Sequence, residues 1–233
     1  MIPFLDLAAA TNELRHELDA AYQRVLDRNW FILGSEVRAF EEEFAEFVGA
    51  NHCIGVANGL DALTVTLRCL GIGQGDEVIA PANTFIATWL AVARTGATVV
   101  GCDVDAGTLN MTASDVRPHI TERTKAILPV HLYGQPVDAA AFDDLENETN
   151  VPVVYDAAQA HGATFDATPI GAFGAASTWS FYPGKNLGCL GDGGAITTND
   201  DALAEELRVR RNYGSRVKYV HQVAGTNSRL DEL

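Results

Sequence analysis

Apolar residues recur at helical spacing near the start of the chain and then give way to short unbroken runs. Leu14, Leu18, Tyr22 and Val25 mark one stripe, and Val37, Phe40, Phe44, Phe47 and Val48 a second. This predicts a helical segment over about residues 1–50. Glu41, Glu42, Glu43 and Glu46 fall between the apolar positions of the second stripe and are expected to form its solvated face. The intervening Asn29-Trp-Phe-Ile-Leu-Gly34 is too apolar for an ordinary exposed loop. It either packs on the core or lines a subunit contact.

From residue 53 onward the pattern alternates strand and helix. Apolar runs predict strands over 54–57, 78–80, 99–100, 126–130, 151–155, 178–181 and 195–198, with helices over 61–70, 85–94 and 201–210. Runs with no polar alternation suit strands covered on both faces by crossover helices, so an α/β sandwich with a mostly parallel sheet is expected. Sites in that architecture form at the carboxyl ends of strands. Asn58, Asp156 and the loop after Phe181 occupy such positions.

Composition narrows the possibilities. At 233 residues and 47% hydrophobic content, the chain can bury a core at the upper end of single-domain size. It has no apolar stretch of the roughly 18 residues that a spanning helix needs, and no basic-then-apolar secretory signal opens it. A formal charge of −15 disfavours nucleic acid as a partner. It also means that an anionic substrate must be caught by local donors, such as helix N-termini. The four cysteines (Cys53, Cys69, Cys102 and Cys189) form no CxxC pair, and Cys69 and Cys102 read as small core residues. A reducing, cytoplasmic setting is expected, with no metal site.

Candidate chemistry concentrates in two segments. Ser180-Phe-Tyr-Pro-Gly-Lys185-Asn-Leu-Gly sets one lysine among uncharged neighbours, and Asp156-Ala-Ala-Gln159-Ala-His161 places a carboxylate at the end of an apolar strand. Desolvation favours a neutral, nucleophilic amine. An aldehyde cofactor that needs such a lysine, pyridoxal 5′-phosphate, also needs an acid beside its ring nitrogen. Taken singly, Lys185 also reads as a surface lysine in a turn, and Asp156 as a helix N-cap ahead of Ala157-Ala158-Gln159. Asn58-Gly59-Leu60-Asp61 reads as a helix start able to meet a phosphate, or as an ordinary one. Two other glycine-rich segments fail on context. Gly184-Lys185 has Trp179 where a P-loop needs glycine, and Gly71-Ile-Gly-Gln-Gly75 follows a helix rather than a strand.

Tyr155-Asp-Ala-Ala-Gln-Ala-His161, the Lys185 segment, Gly191-Asp-Gly-Gly194 and Arg211-Asn-Tyr-Gly214 occur in order. They lie between an opening Pro3-Phe-Leu-Asp-Leu7 and a closing Gly225-Thr-Asn-Ser-Arg-Leu-Asp-Glu232. In this the chain resembles the DegT/DnrJ/StrS family of nucleotide-sugar aminotransferases, of the aspartate-aminotransferase fold type (PLP fold type I). The resemblance implies pyridoxal 5′-phosphate as cofactor, Lys185 as the lysine that condenses with its aldehyde and shuttles protons, and Asp156 as partner of the ring nitrogen. It further implies Gln159 over the phenolic oxygen, Phe85 stacked on the ring, and Ser180 with the Gly59 and Leu60 backbone at the phosphate. Phe85 also reads as a core residue at a helix start. Many relatives carry threonine where this chain has Leu60, so a hydroxyl contact is absent there. Asn227 matches an asparagine that reaches the phosphate of a neighbouring subunit, implying a homodimer. The implied reaction moves an amino group from L-glutamate to a nucleotide-linked keto-sugar, with phrases most like the branch acting on dTDP-3-oxo-6-deoxyhexoses. Sugar dehydratases of the same family carry histidine in place of the lysine, and Lys185 speaks against that rival. A third reading is a non-catalytic binding or regulatory protein of this fold. Family members continue past Leu233 into a smaller domain, so residues 1–233 are expected to be the large domain, without the small C-terminal one.

Overall fold

The computed structural model describes residue 2 and residues 4–233, so Pro3 of the opening phrase lies outside the described residues. Helices α1 (Leu7–Glu13), α2 (Arg15–Arg28) and α3 (Ser35–Val48) come first. Then follow β1 (His52–Val56), α4 (Gly59–Cys69), β2 (Glu77–Pro81), α5 (Ile86–Thr95) and β3 (Thr98–Cys102). A short α6 (Ala113–Val116) leads to β4 (Thr124–Ile127), α7 (Ala139–Thr149) and β5 (Val154–Asp156). A small hairpin of β6 (Thr164–Phe165) and β7 (Thr168–Pro169) precedes β8 (Ala176–Ser180), β9 (Gly194–Thr198) and α8 (Asp201–Arg210). The hairpin of β10 (Ser215–Val217) and β11 (Val220–His221) follows. No helix among the described residues is long and apolar enough to cross a membrane.

The sheet runs β3-β2-β4 and β5-β8-β9-β1, and parallel bridges Ile127↔Val153 and Val130↔Asp156 join the two parts. Only β9 runs against its neighbours, pairing antiparallel with both β8 and β1. The mostly parallel expectation therefore holds, with one reversal. The reversal has a cause: β8 and β9 are joined by loop 181–193 and not by a crossover helix, so the chain returns beside itself. That loop carries Lys185.

Both faces of the sheet are covered, which explains the unbroken apolar runs. Val78 and Ala80 pack with Leu63, Leu67, Ala91 and Val92 of α4 and α5. Ile79, between them, packs on the other face with Phe142 and Leu145 of α7. Ile54 and Ile196 meet α4 and α8, while Trp179 and Ala195 meet Phe44 and Ala45 of α3. Helix α7 had no counterpart in the pattern reading, because only Ala139, Phe142 and Leu145 of it are buried. It is the crossover that parallel β4 and β5 require. Its Asp138 cap accepts from the Ala141 N–H at 3.0 Å.

The N-terminal segment is helical as expected, but its burial differs from the pattern. Of the first stripe only Val25 is buried, and Leu14 and Tyr22 face outward. The segment Trp30-Phe31-Ile32 is exposed and does not pack on the core. Glu41 is not solvated: it turns inward to ion-pair with the buried Arg211 and accepts the Gly55 N–H at 2.8 Å. Buried Arg211 must have such partners. The N-cap of helix α3 is Gly34, which has no side chain to serve as a cap. Buried Glu232 fills that role from the far end of the chain, accepting the N–H groups of Gly34, Glu36 and Val37.

Candidate active site

The carboxyl ends of β1, β2, β4, β5 and β8 open into one cleft of about 770 Å³. Its walls include Gly59, Leu60, Phe85, Asp156, Gln159, Ser180 and Lys185. Seven of the eight site residues expected from sequence thus converge. The eighth, Asn227, is exposed, bridges to Asn212 and lies outside this cleft.

Asp156 ends β5, where its backbone N–H donates to Pro129 O at 2.9 Å and its carbonyl accepts from the His131 N–H at 3.0 Å. No helix follows it, so the N-cap reading is corrected: Oδ1 accepts the Ala158 N–H at 3.2 Å within a turn. Oδ2 accepts from Thr88 Oγ1 at 2.8 Å. Burial pushes the Asp156 carboxyl above the usual carboxylate range, opposed by the Thr88 hydroxyl, the Ala158 N–H and the charge of Lys185. Lys185 is half-buried in the same cleft, and burial lowers its amine against the pull of Asp156. A surface lysine would show neither effect.

The Lys185 turn is held from two sides. Its N–H donates to Tyr182 O at 2.8 Å, and the Cys189 N–H donates to Phe181 O at 2.8 Å. On the other flank Asn186 Nδ2 donates to His161 O at 2.9 Å. That fixes the amide, so Asn186 Oδ1 accepts the hydrogen bond of His161 Nδ1–H at 2.7 Å. The ring of His161 sits among Phe44, Trp179 and Phe181. Sequence reading singled out neither residue of this clamp, since its partners lie 25 positions apart.

Gln159 Oε1 accepts the Tyr133 N–H at 2.7 Å, which leaves its NH₂ as the end able to donate to an oxygen in the cleft. Phe85 is 68% exposed at the N-cap of α5, so its core reading is corrected. At the start of α4, Asn58 Oδ1 caps the Asp61 N–H at 2.8 Å, leaving the Gly59 and Leu60 N–H groups without an intrahelical acceptor. A Cβ on Gly59 would lie 2.6 Å from Ser180 Cβ, and one on Gly194 would lie 2.5 Å from the Asn58 carbonyl carbon. Glycine at 59 lets Ser180 approach the helix start, and glycine at 194 lets β9 pass against the Asn58 backbone. The result is a small cradle of donors suited to a phosphate.

Beneath the cleft, His131 is fully buried, stacked on Tyr155 at 4.9 Å, and its Nδ1 accepts the Val137 N–H at 3.1 Å. Burial lowers its pKa from 6.5 to about 3. An unfolded chain therefore takes up a proton over that range that the folded chain refuses. The stability His131 contributes is present above pH 6.5 and is lost as pH falls towards about 3. His131→Gln keeps an acceptor for Val137 and does not titrate. In urea unfolding it should lose less stability than wild type across that window, and parallel pH curves would rule His131 out as the source.

The fold is of the aspartate-aminotransferase-like type, PLP fold type I. The profile of the DegT/DnrJ/EryC1/StrS aminotransferase family matches residues 12–233. The dTDP-3-amino-3,4,6-trideoxy-alpha-D-glucose transaminase of Streptomyces venezuelae is 54% identical over 232 residues, covering 100% of this chain and 61% of that protein. The crystal structure of S. venezuelae DesV in complex with a ketimine intermediate superposes with a TM-score of 0.97 at 54% identity, over 99% of this chain and 62% of that one. NtdA from Bacillus subtilis, solved with bound cofactor PMP, matches with a TM-score of 0.93 at 32% identity, over 99% and 53%. This chain belongs to the DegT/DnrJ/EryC1/StrS aminotransferase family. It spans about three fifths of the length of the S. venezuelae relative.

Proposed function

We propose that this chain is the cofactor-binding large domain of a pyridoxal 5′-phosphate-dependent aminotransferase. It would move an amino group from L-glutamate to a nucleotide-linked keto-sugar, a dTDP-3-oxo-6-deoxyhexose. The observation that carries this reading is that the half-buried amine of Lys185 and the buried carboxylate of Asp156 line one cleft with Gly59, Leu60 and Ser180.

The residues fit the cofactor. Gly59, Leu60 and Ser180 would hold its phosphate, Asp156 its ring nitrogen, Gln159 its phenolic oxygen, and Phe85 one face of its ring. When bound, the cofactor supplies an electrophilic aldehyde and a ring that takes up the electron pair left when a carbon loses its proton. Lys185, its amine lowered by burial, would hold the cofactor's aldehyde and, as a free amine, would remove and return a proton at Nζ. Asp156 would favour a positive charge on the ring nitrogen. On a chain of formal charge −15, backbone donors at α4 are what make anion capture workable. The sugar assignment draws on the S. venezuelae transaminase named above and on the family phrases in this sequence. Asn227, outside its own cleft, would complete the phosphate site of a second copy, so a homodimer is the smallest active unit. Exposed Trp30, Tyr133 and Tyr219 leave apolar surface open to such a contact. Four unpaired cysteines suit a reducing cytoplasm.

Borohydride reduction after loading with pyridoxal 5′-phosphate tests the reading directly. The chain has three lysines, Lys125, Lys185 and Lys218. Peptide mapping should find the pyridoxyl group on Lys185 alone. A label on Lys125 or Lys218, or none, would overturn the cofactor assignment.

A further inference from the structure

The hydroxyls around Asp156 form a second device. Thr88 is fully buried in the first turn of α5, and its hydroxyl donates to Asp156 Oδ2 at 2.8 Å. An ionised carboxylate only accepts, so the single proton of Thr88 is committed there. Thr84 Oγ1 lies 2.8 Å from Thr88 Oγ1. Since Thr88 has no proton left to give, Thr84 must donate and Thr88 accept. Both bonds therefore have a fixed direction, from Thr84 at the cleft wall through Thr88 to the carboxylate.

This is not the usual behaviour of threonine in a helix. Such hydroxyls commonly turn back to the carbonyl four residues earlier. Thr64 and Thr66 in α4 do so, donating to Leu60 O and Ala62 O at 2.8 Å. Thr88 instead reaches off its helix to a strand 68 positions away. Phe85, the N-cap of α5, lies between Thr84 and Thr88, so the exposed ring and the hydroxyl pair share the start of the helix.

We propose that Thr88 is the positioning residue of Asp156, and that with Thr84 it forms a one-way hydroxyl relay holding the carboxylate ionised and aimed into the cleft. Burial favours the neutral acid, and a charge-assisted hydrogen bond strengthened by a second donor behind it opposes that tendency. Few other groups compete. Lys185 is the one charged side chain acting on Asp156. On the β4 side His131 is neutral, with Nδ1 taken by Val137. On β8, Thr178 spends its hydroxyl on Tyr155 O at 3.0 Å. The catalytic meaning of the relay rests on the cofactor reading above, but its effect on ionisation does not.

The test uses cofactor-free protein with ¹³C-labelled aspartate carboxyls, the Asp156 resonance being identified by its loss in Asp156→Asn. Thr88→Val keeps the shape and removes the hydroxyl, and should move the Asp156 titration midpoint upward. Thr88→Ser should match wild type. Thr84→Val, which leaves the Thr88 bond in place, should give a smaller upward move and serves if Thr88→Val does not fold. In a second arm, Thr88→Val should bind pyridoxal 5′-phosphate roughly tenfold more weakly, as expected for one hydrogen bond to a charged group. Wild-type midpoints in both valine variants, or a serine variant that behaves like valine, would overturn the relay. An upward move in a protein that does not bind pyridoxal 5′-phosphate would support the relay and sink the cofactor reading instead.

Discussion

Lys185→Ala should abolish glutamate-dependent amination, with at least about a thousandfold loss, while the fold survives. One side chain is asked to act first as nucleophile and then as the base and acid that moves a proton, and general acid–base catalysis alone contributes about 10²–10⁴-fold. No neighbour can substitute, because the other lysines, Lys125 and Lys218, lie outside the cleft. The cost to stability should be small, since a half-buried loop lysine contributes little packing. Thermal unfolding should stay near wild type or rise slightly, because burial disfavours the charged amine. Initial rates on the keto-sugar and a melting curve check both halves. Substantial turnover in the alanine variant would remove Lys185 from the chemistry.

Asp156→Asn should lower turnover by at least about a hundredfold, the scale of one preorganised electrostatic partner, with cofactor affinity less affected. The substitution keeps the shape and an acceptor for Thr88, but removes the negative charge that would hold a proton on the ring nitrogen. Rate and affinity should therefore separate. Lysine replacement removes the reacting group, whereas asparagine weakens the sink that accepts the electron pair. Single-turnover rates and a cofactor titration on the same preparation give the comparison. Near-normal turnover in the asparagine variant would mean that the carboxylate only braces the Ala158 turn.

Much of this is legible in the sequence. The buried strands announce themselves because both faces are covered, so no polar residue interrupts Val78-Ile79-Ala80 or Val151 to Tyr155. Lys185, Asp156 and the Gly59 turn stand out in the sequence because a lysine among uncharged neighbours, an acid closing an apolar strand and a helix start are local signals, whereas Gln159 and Ser180 are placed only by the family resemblance. The N-terminal stripes were less informative. Periodicity shows that one side of a helix is apolar, but not what covers it, and Leu14, Tyr22 and Phe47 remain exposed.

The sequence by itself determined the layered α/β class, the lysine and carboxylate, and the family. These depend on spacing within a segment or on ordered motifs. Tertiary structure alone decided which groups from distant segments share a hydrogen bond. Glu232 caps α3 because Gly34 leaves its N–H groups free, Glu41 turns inward because Arg211 is buried, and Thr88 reaches Asp156 across 68 positions. It also decided that β9 reverses, making the Lys185 loop a return connection over the cleft. A side chain's identity fixes what it can donate or accept, but its partner is set by how the sheet orders its strands, and that order is a property of the packed whole.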